Sequence, residues 1–273
     1  MSIYIKVSQS VRDWMRGLSV LVLVTCLAAC VTTTNSPFSN KANADEAIDK
    51  YVALGLEYIK RDDYGRARKH LERALELDEN NAPALASLGL IHHREGENKL
   101  AEENFLSALD ADPTYTRGRT YYAAFLFSEQ RYQDAKTQFT QAAQDVKFAS
   151  RAQIYTNIAL CNIKLGNSEE AISAYEKTLR LDRTNGRALS GITELYIEAD
   201  RYAKASRTFN QLLRVIATQG LKHSPQSLWQ GIRIAHHFGS VEQMNSFATL
   251  LEELYPSSGE YETFQVMKAS GAL

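Results

Sequence analysis

Between residues 48 and 258 the apolar positions fall three and four apart, in short runs separated by polar turns. That spacing predicts amphipathic helices. Tyr51, Leu54, Gly55 and Tyr58 share one face of a first helix, and Ala67, Leu71 and Ala74 share one face of a second. The same order returns as Leu88-Gly89 and His92, then Ala101, Phe105 and Ala108. The interval is 34 residues, both from Gly55 to Gly89 and from Ala67 to Ala101. A small residue recurring at that period among large apolar ones marks a repeated helix pair. Gly55 and Ala67 allow the two helices of a pair to approach closely.

Six such pairs are expected, at about 48–81, 82–115, 116–149, 152–185, 186–219 and 225–258. Pro83 falls in a first helical turn, where proline is tolerated. The third pair carries Tyr122-Ala123, Leu126, Ala135, Phe139 and Ala142, and a short insertion follows near Asp145. The fourth carries Tyr155, Ile158-Ala159, Ala171 and Tyr175. In the fifth, Thr193 stands where a small residue is expected, which puts close packing there in doubt. The sixth is divergent, with Met244 for the expected alanine, and residues 259–273 form a tail that can add a short helix. The turn inside each pair alternates in type: Tyr64, Tyr132 and Tyr202 follow it in odd pairs, whereas Gly96, Gly166 and Gly239 lie within it in even ones. Asp45-Glu46 sits where negative charge favours a helix start.

This pattern resembles the tetratricopeptide repeat (TPR). The resemblance covers most of residues 48–258 and implies an all-α fold, a right-handed superhelix of six TPR helix pairs. Terminal repeats of such arrays are commonly atypical, because one face meets solvent.

The amino terminus is different. Lys6, Arg12 and Arg16 form a basic segment, diluted by Asp13, and residues 18–29 are apolar. That run is too short to span a bilayer comfortably and reads as a signal peptide over 1–29. Leu27-Ala28-Ala29-Cys30 resembles the bacterial lipobox, which implies covalent diacylglycerol and N-acyl lipid at Cys30. An ordinary secretory signal cut near Ala29, with Cys30 incidental, is the alternative. Val31 follows, where an aspartate would retain a lipoprotein at the inner membrane. Its absence implies the inner leaflet of the outer membrane, facing the periplasm, in a Gram-negative host. Residues 30–45 are rich in Thr, Ser and Asn and read as a flexible tether. About 15 such residues reach roughly 20 Å.

Composition narrows the function. The formal net charge of −1 gives no reason to expect a nucleic-acid partner. Once a signal peptide is removed, Cys30 and Cys161 remain, which leaves no disulfide framework and no zinc spacing. Cys161 has no activating partner nearby in sequence and reads as a small buried hydrophobe. His92-His93 and His236-His237 are adjacent pairs, and neighbours on a helix point about 100° apart, so neither pair is a clamp for a metal. No Gly-x-Ser-x-Gly elbow and no phosphate loop occurs. Neither an enzyme, a metal nor a non-covalent cofactor is expected.

In TPR proteins the groove residues stand at the second, fifth, ninth and twelfth positions. Carried over, these are Asp49, Val52, Leu56 and Ile59 in the first repeat. Ala86, Leu90 and His93, beside Pro83, follow in the second, and Arg117, Thr120, Ala124 and Phe127 in the third. The fourth offers Gln153, Thr156, Leu160 and Ile163, and the fifth Arg187, Ser190, Glu194 and Ile197. Leu56, Ile59, Leu90 and Phe127 make an apolar stripe that, if exposed, suits a partner; the alternative is that an extended tether segment or a neighbouring helix covers it.

A lipobox, a polar tether and six such repeats together resemble the PilW/PilF pilotin family of type IV pilus lipoproteins. That resemblance implies binding of secretin subunits, delivery to the outer membrane and promotion of their multimer assembly. Other pilus assembly proteins remain open as partners. Two further readings stay open: an adaptor for peptidoglycan enzymes or division proteins, and a lipoprotein enzyme whose site carries no familiar motif.

Overall fold

A computed structural model of the chain describes residues 41–271, with side chains described from Ala44. The signal peptide, Cys30 and the tether as far as residue 40 lie outside the described residues. The chain divides into two units, 1–50 and 51–273. Within the first, the described residues are helical, and Lys50 pairs with Glu46 one turn earlier at 2.6 Å.

Thirteen helices and no strands are found among the described residues. They are α1 (Lys41–Lys60), α2 (Tyr64–Leu77), α3 (Ala82–Arg94), α4 (Asn98–Ala111), α5 (Thr116–Ser128), α6 (Tyr132–Ala142) and α7 (Arg151–Lys164). Then come α8 (Ser168–Leu181), α9 (Gly186–Glu198), α10 (Tyr202–Gln219), α11 (Pro225–His237), α12 (Val241–Leu254) and α13 (Gly259–Ala269). The first twelve form the six helix pairs of a TPR superhelix, as the 34-residue period implies. Helix α1 starts earlier than expected: residues 41–45 belong to it and not to a tether. Lys41, Ala42 and Ala44 are good helix formers with no breaker among them. Asp45 and Glu46 consequently sit beyond the first turn.

Local chemistry starts and stops several of the helices in a repeated way. The Asn81 and Asn185 side chains accept from the backbone N–H of Ala84 and Ala188, both at 3.0 Å, and cap α3 and α9. Between pairs, the carboxylates of Asp78, Asp112 and Asp182 accept from the backbone N–H two residues on, at 3.2, 2.8 and 3.0 Å. These local turns reverse the chain before the next pair begins.

Within the pairs, the six turns share one geometry. The residue in the left-handed region is Asp62, Gly96, Gln130, Gly166, Asp200 or Gly239, with φ between 54 and 83°. The next backbone N–H closes the helix on a carbonyl five residues back, as in Arg131 to Leu126 at 2.9 Å and Glu97 to His92 at 2.8 Å. The alternation seen in sequence is therefore one of residue type only. The positive-φ position carries glycine in even pairs and a polar residue in odd ones.

The core is built from small residues facing large ones. Ala67, Ala101, Ala135, Ala171 and Ala205 are fully buried, and one turn later on the same helices Leu71, Phe105, Phe139, Tyr175 and Phe209 are buried too. A Cβ added at Gly55 would lie 2.6 Å from the Leu71 side chain, and one at Gly89 would lie 2.8 Å from the Phe105 ring. Thr193 is itself fully buried: its hydroxyl donates to the Leu189 carbonyl and shares a 2.7 Å bond with Thr208. A separate close approach, to α8 of the preceding pair, occurs at Gly191, where an added Cβ would lie 2.5 Å from the Tyr175 ring. Leu54 differs from its counterparts. Leu88, Tyr122 and Ile158 are buried, whereas Leu54 is 43 % exposed. No helix pair precedes it within the unit that begins at Tyr51 to cover that face. At the other end α13 closes the stack, with Phe264 packed against Leu228, Ile232 and Leu251.

Candidate partner-binding groove

The first helices of the pairs carry the expected groove positions, and the structure separates these by depth. Leu56, Ile59, Leu90 and Phe127 are partly exposed, and Ala124 is exposed. Val52 is 8 % exposed and Ala86 not at all, so both lie inside the stack and do not form a surface. Ala86 is held there by the close approach of α5: an added Cβ at Gly118 would lie 3.4 Å from it. Thr156 and Ile197 are buried for the same reason of helix contact. The Thr156 hydroxyl shares a 3.3 Å bond with Thr178, a pair that sequence position alone does not reveal.

Two further positions are partly committed to the scaffold. His93 lies 3.5 Å from the Asn98 side chain and 3.3 Å from the Ser128 hydroxyl, and meets the Phe125 ring edge-on. It thereby ties the second pair to the third. The Thr120 hydroxyl donates to the Thr116 carbonyl of its own helix at 2.8 Å.

Ala124 and Phe127 reach a small pocket of about 90 Å³ between α5 and α7, lined also by Phe139, Asn157 and Leu160. Its walls are mainly apolar, with Asn157 the one polar residue, so it suits a hydrophobic anchor from a partner. Beyond it a wider cleft of about 630 Å³ opens along α7, α9 and α11, with Leu160, Ile163, Arg187, Ser190 and Glu194 on its walls. Lys222, Ser224 and Gln226 also line it. The first two come from the insertion before the sixth pair, whose reach is not visible in the repeat pattern. Here charge is fixed by partners. Glu194 pairs with Arg233, and the fully buried Gln230 donates to Glu194 at 3.0 Å and to the Ser190 carbonyl at 2.9 Å. Burial pushes the Tyr175 phenol up to about 12, so it stays neutral at this wall. The wider cleft thus adds charged and polar groups, among them Arg187, Glu194 and Lys222, to walls that stay largely apolar.

Two other residues considered for chemistry take part in packing. Cys161 is free and fully buried, and burial pushes its thiol up to about 12. His237 stacks on Tyr202 with ring centroids 3.7 Å apart. Among the described residues no group of three or more His, Cys, Asp or Glu could hold a metal, and no helix is long and apolar enough to cross a membrane.

The geometry is that of a tetratricopeptide-repeat protein, and the family matches directly: residues 52–116, 126–186 and 162–220 match tetratricopeptide-repeat families. The chain belongs to the family of TPR proteins that includes PilF. It is 31 % identical over 255 residues to the type IV pilus assembly protein PilF of Pseudomonas aeruginosa, covering 93 % of this chain and 99 % of that one. The solved structure of that PilF superposes with a TM-score of 0.74 at 32 % identity, covering 82 % of this chain and 98 % of that one. PilW, a type IV pilus biogenesis factor, shares the fold with a TM-score of 0.67 at 21 % identity, covering 83 % and 99 %.

Proposed function

We propose that this protein is a pilotin for type IV pilus biogenesis: a non-enzymatic adaptor that binds secretin subunits and promotes their multimerisation at the outer membrane. Full-length similarity to the pilus assembly protein PilF supports the pathway and the class of partner, proteins of the pilus machinery. The observation that carries the binding reading is the largely apolar pocket at Ala124, Phe127 and Leu160. A secretin segment anchors there through an apolar side chain, and contacts along Leu56, Ile59 and Leu90 select it. Lipid on Cys30 supplies the membrane address. Two acyl chains suffice for stable anchoring at about 0.8 kcal/mol per buried CH₂. Membrane attachment and partner choice then reside in separate parts of the chain.

That separation is what the experiment tests. Cys30→Ser is expected to abolish labelling by fatty acid while the body still co-purifies with the secretin. Leu90→Asp with Ala124→Asp is expected to keep the lipid and the helicity but lose the secretin. A wild-type protein that takes up no fatty acid would remove the lipid anchor. A wild-type body that fails to bind secretin would remove the pilotin reading.

A further inference from the structure

A second cleft, of about 420 Å³, lies on the side of α7 away from the groove, between α6 and α8. None of its lining residues also lines the groove's pocket or its wider cleft. Lys136, Arg151 and Lys177 stand around it, with Glu170 the one carboxylate on its walls. The Arg151 guanidinium lies 5.5 Å from the centre of the Tyr155 ring, and the Lys177 ammonium lies 5.4 Å from the same centre. Arg151 is held in place by donating to the Ala143 carbonyl at 2.9 Å. Among the described residues none of the three cations has a carboxylate within 4.0 Å. This contrasts with Arg68, Arg131 and Arg201, each of which pairs with a glutamate of a neighbouring repeat.

Such a cleft is a geometric product of stacked second helices, but its charge is not. The equivalent cleft between α10 and α12 has no lysine or arginine on its walls, and Ser206 stands there where Lys136 stands here. A second feature accompanies the charge at this site. Asn162 lines it at 2 % exposure, and its Nδ2 donates to the Ile158 carbonyl at 3.1 Å, which fixes the amide orientation. Its Oδ1 is buried without a partner. A buried acceptor left in this way is costly and is normally satisfied.

We infer that this cleft binds an acidic peptide segment of a partner protein, in addition to the segment held in the groove. Carboxylate side chains meet Lys136, Arg151 and Lys177, and a peptide N–H meets Asn162 Oδ1. An extended peptide presents several carboxylates along its length together with its own backbone N–H donors, whereas a free phosphate or a single phospholipid headgroup offers one anionic centre to three cations. The inference does not depend on which pilus protein occupies the groove.

The test measures fluorescence anisotropy of a labelled, end-blocked peptide of alternating Glu and Ala, titrated with the full-length protein. The glutamate peptide should bind, and Lys136→Ser with Lys177→Gln should weaken it by roughly tenfold, about 1.4 kcal/mol, with helicity unchanged. The same peptide with Gln for Glu should not bind. Leu90→Asp with Ala124→Asp should leave the affinity within about twofold, since the groove lies elsewhere. Four results would overturn the inference: no binding of the glutamate peptide, equal binding of the glutamine peptide, indifference to the double lysine variant, or loss on the groove variant. Displacement by inorganic phosphate, or capture of phosphatidylglycerol vesicles in place of the peptide, would do so as well by assigning the cleft to a phosphate group.

Discussion

The same substitution, glycine to alanine, should have opposite effects at Gly89 and at Gly65. Both residues are helical, and in a helix interior alanine gains about 1 kcal/mol over glycine. At Gly65, in the first turn of α2, an added Cβ meets nothing within 4 Å. Gly65→Ala should therefore stabilise, by up to about 1 kcal/mol. At Gly89 the added Cβ falls 2.8 Å from two carbons of the Phe105 ring, and that ring is 1 % exposed and cannot swing into solvent. Overpacking of this kind costs about 1–3 kcal/mol, which offsets and exceeds the helix gain. Gly89→Ala should come out about 0–2 kcal/mol less stable, and Gly89→Leu or Gly55→Leu more so. Equilibrium urea unfolding followed by circular dichroism reads both changes. Should Gly65→Ala and Gly89→Ala shift the midpoint in the same direction by similar amounts, packing at the helix crossing is not what keeps residue 89 small.

Two other outcomes follow from the backbone and from burial. Gln130 holds φ 60° in a turn where Gly96 and Gly166 hold 83° and 76°. Gln130→Gly should gain up to about 1 kcal/mol, and Gly96→Ala should lose about as much, both measured as shifts in the melting midpoint. Burial depresses the pKa of His223, which faces Phe247 and Ser227 at the junction of the last two repeats. A depressed histidine contributes stability that is present above its unfolded pKa and is lost as pH falls through the folded value. Unfolding midpoints should therefore decline as the solution is taken from neutral to below about pH 6.5, and His223→Gln should flatten that part of the profile.

The repeat architecture was legible because sterics constrain single positions. Where two helices cross at Gly55 and Leu71, or at Gly89 and Phe105, only a small residue fits on one side, and the sequence records it every 34 residues. The turns were less legible. A left-handed residue costs only on the order of 1 kcal/mol, so Asp62, Gln130 and Asp200 conceal the geometry that Gly96 announces. The groove was legible in direction but not in depth. Position within the repeat says which way a side chain points, but not whether the neighbouring first helix covers it, and so Val52, Ala86, Thr156 and Ile197 turn out to be core. The cations of the second cleft stand far apart in sequence, at residues 136, 151 and 177, and no short motif joins them.

The proposed pilotin role requires that the groove act on secretin assembly in a cell. In a strain whose only copy carries Leu90→Asp with Ala124→Asp, expressed at the wild-type level, the quantity to measure is secretin multimer in outer-membrane fractions. Ala124 is exposed and Leu90 partly so, and the double variant should remain helical. Multimers should drop towards the level of the deletion strain, with secretin left as monomer or retained at the inner membrane. Wild-type multimer levels in the variant, or in the deletion strain itself, would contradict secretin assembly through this groove.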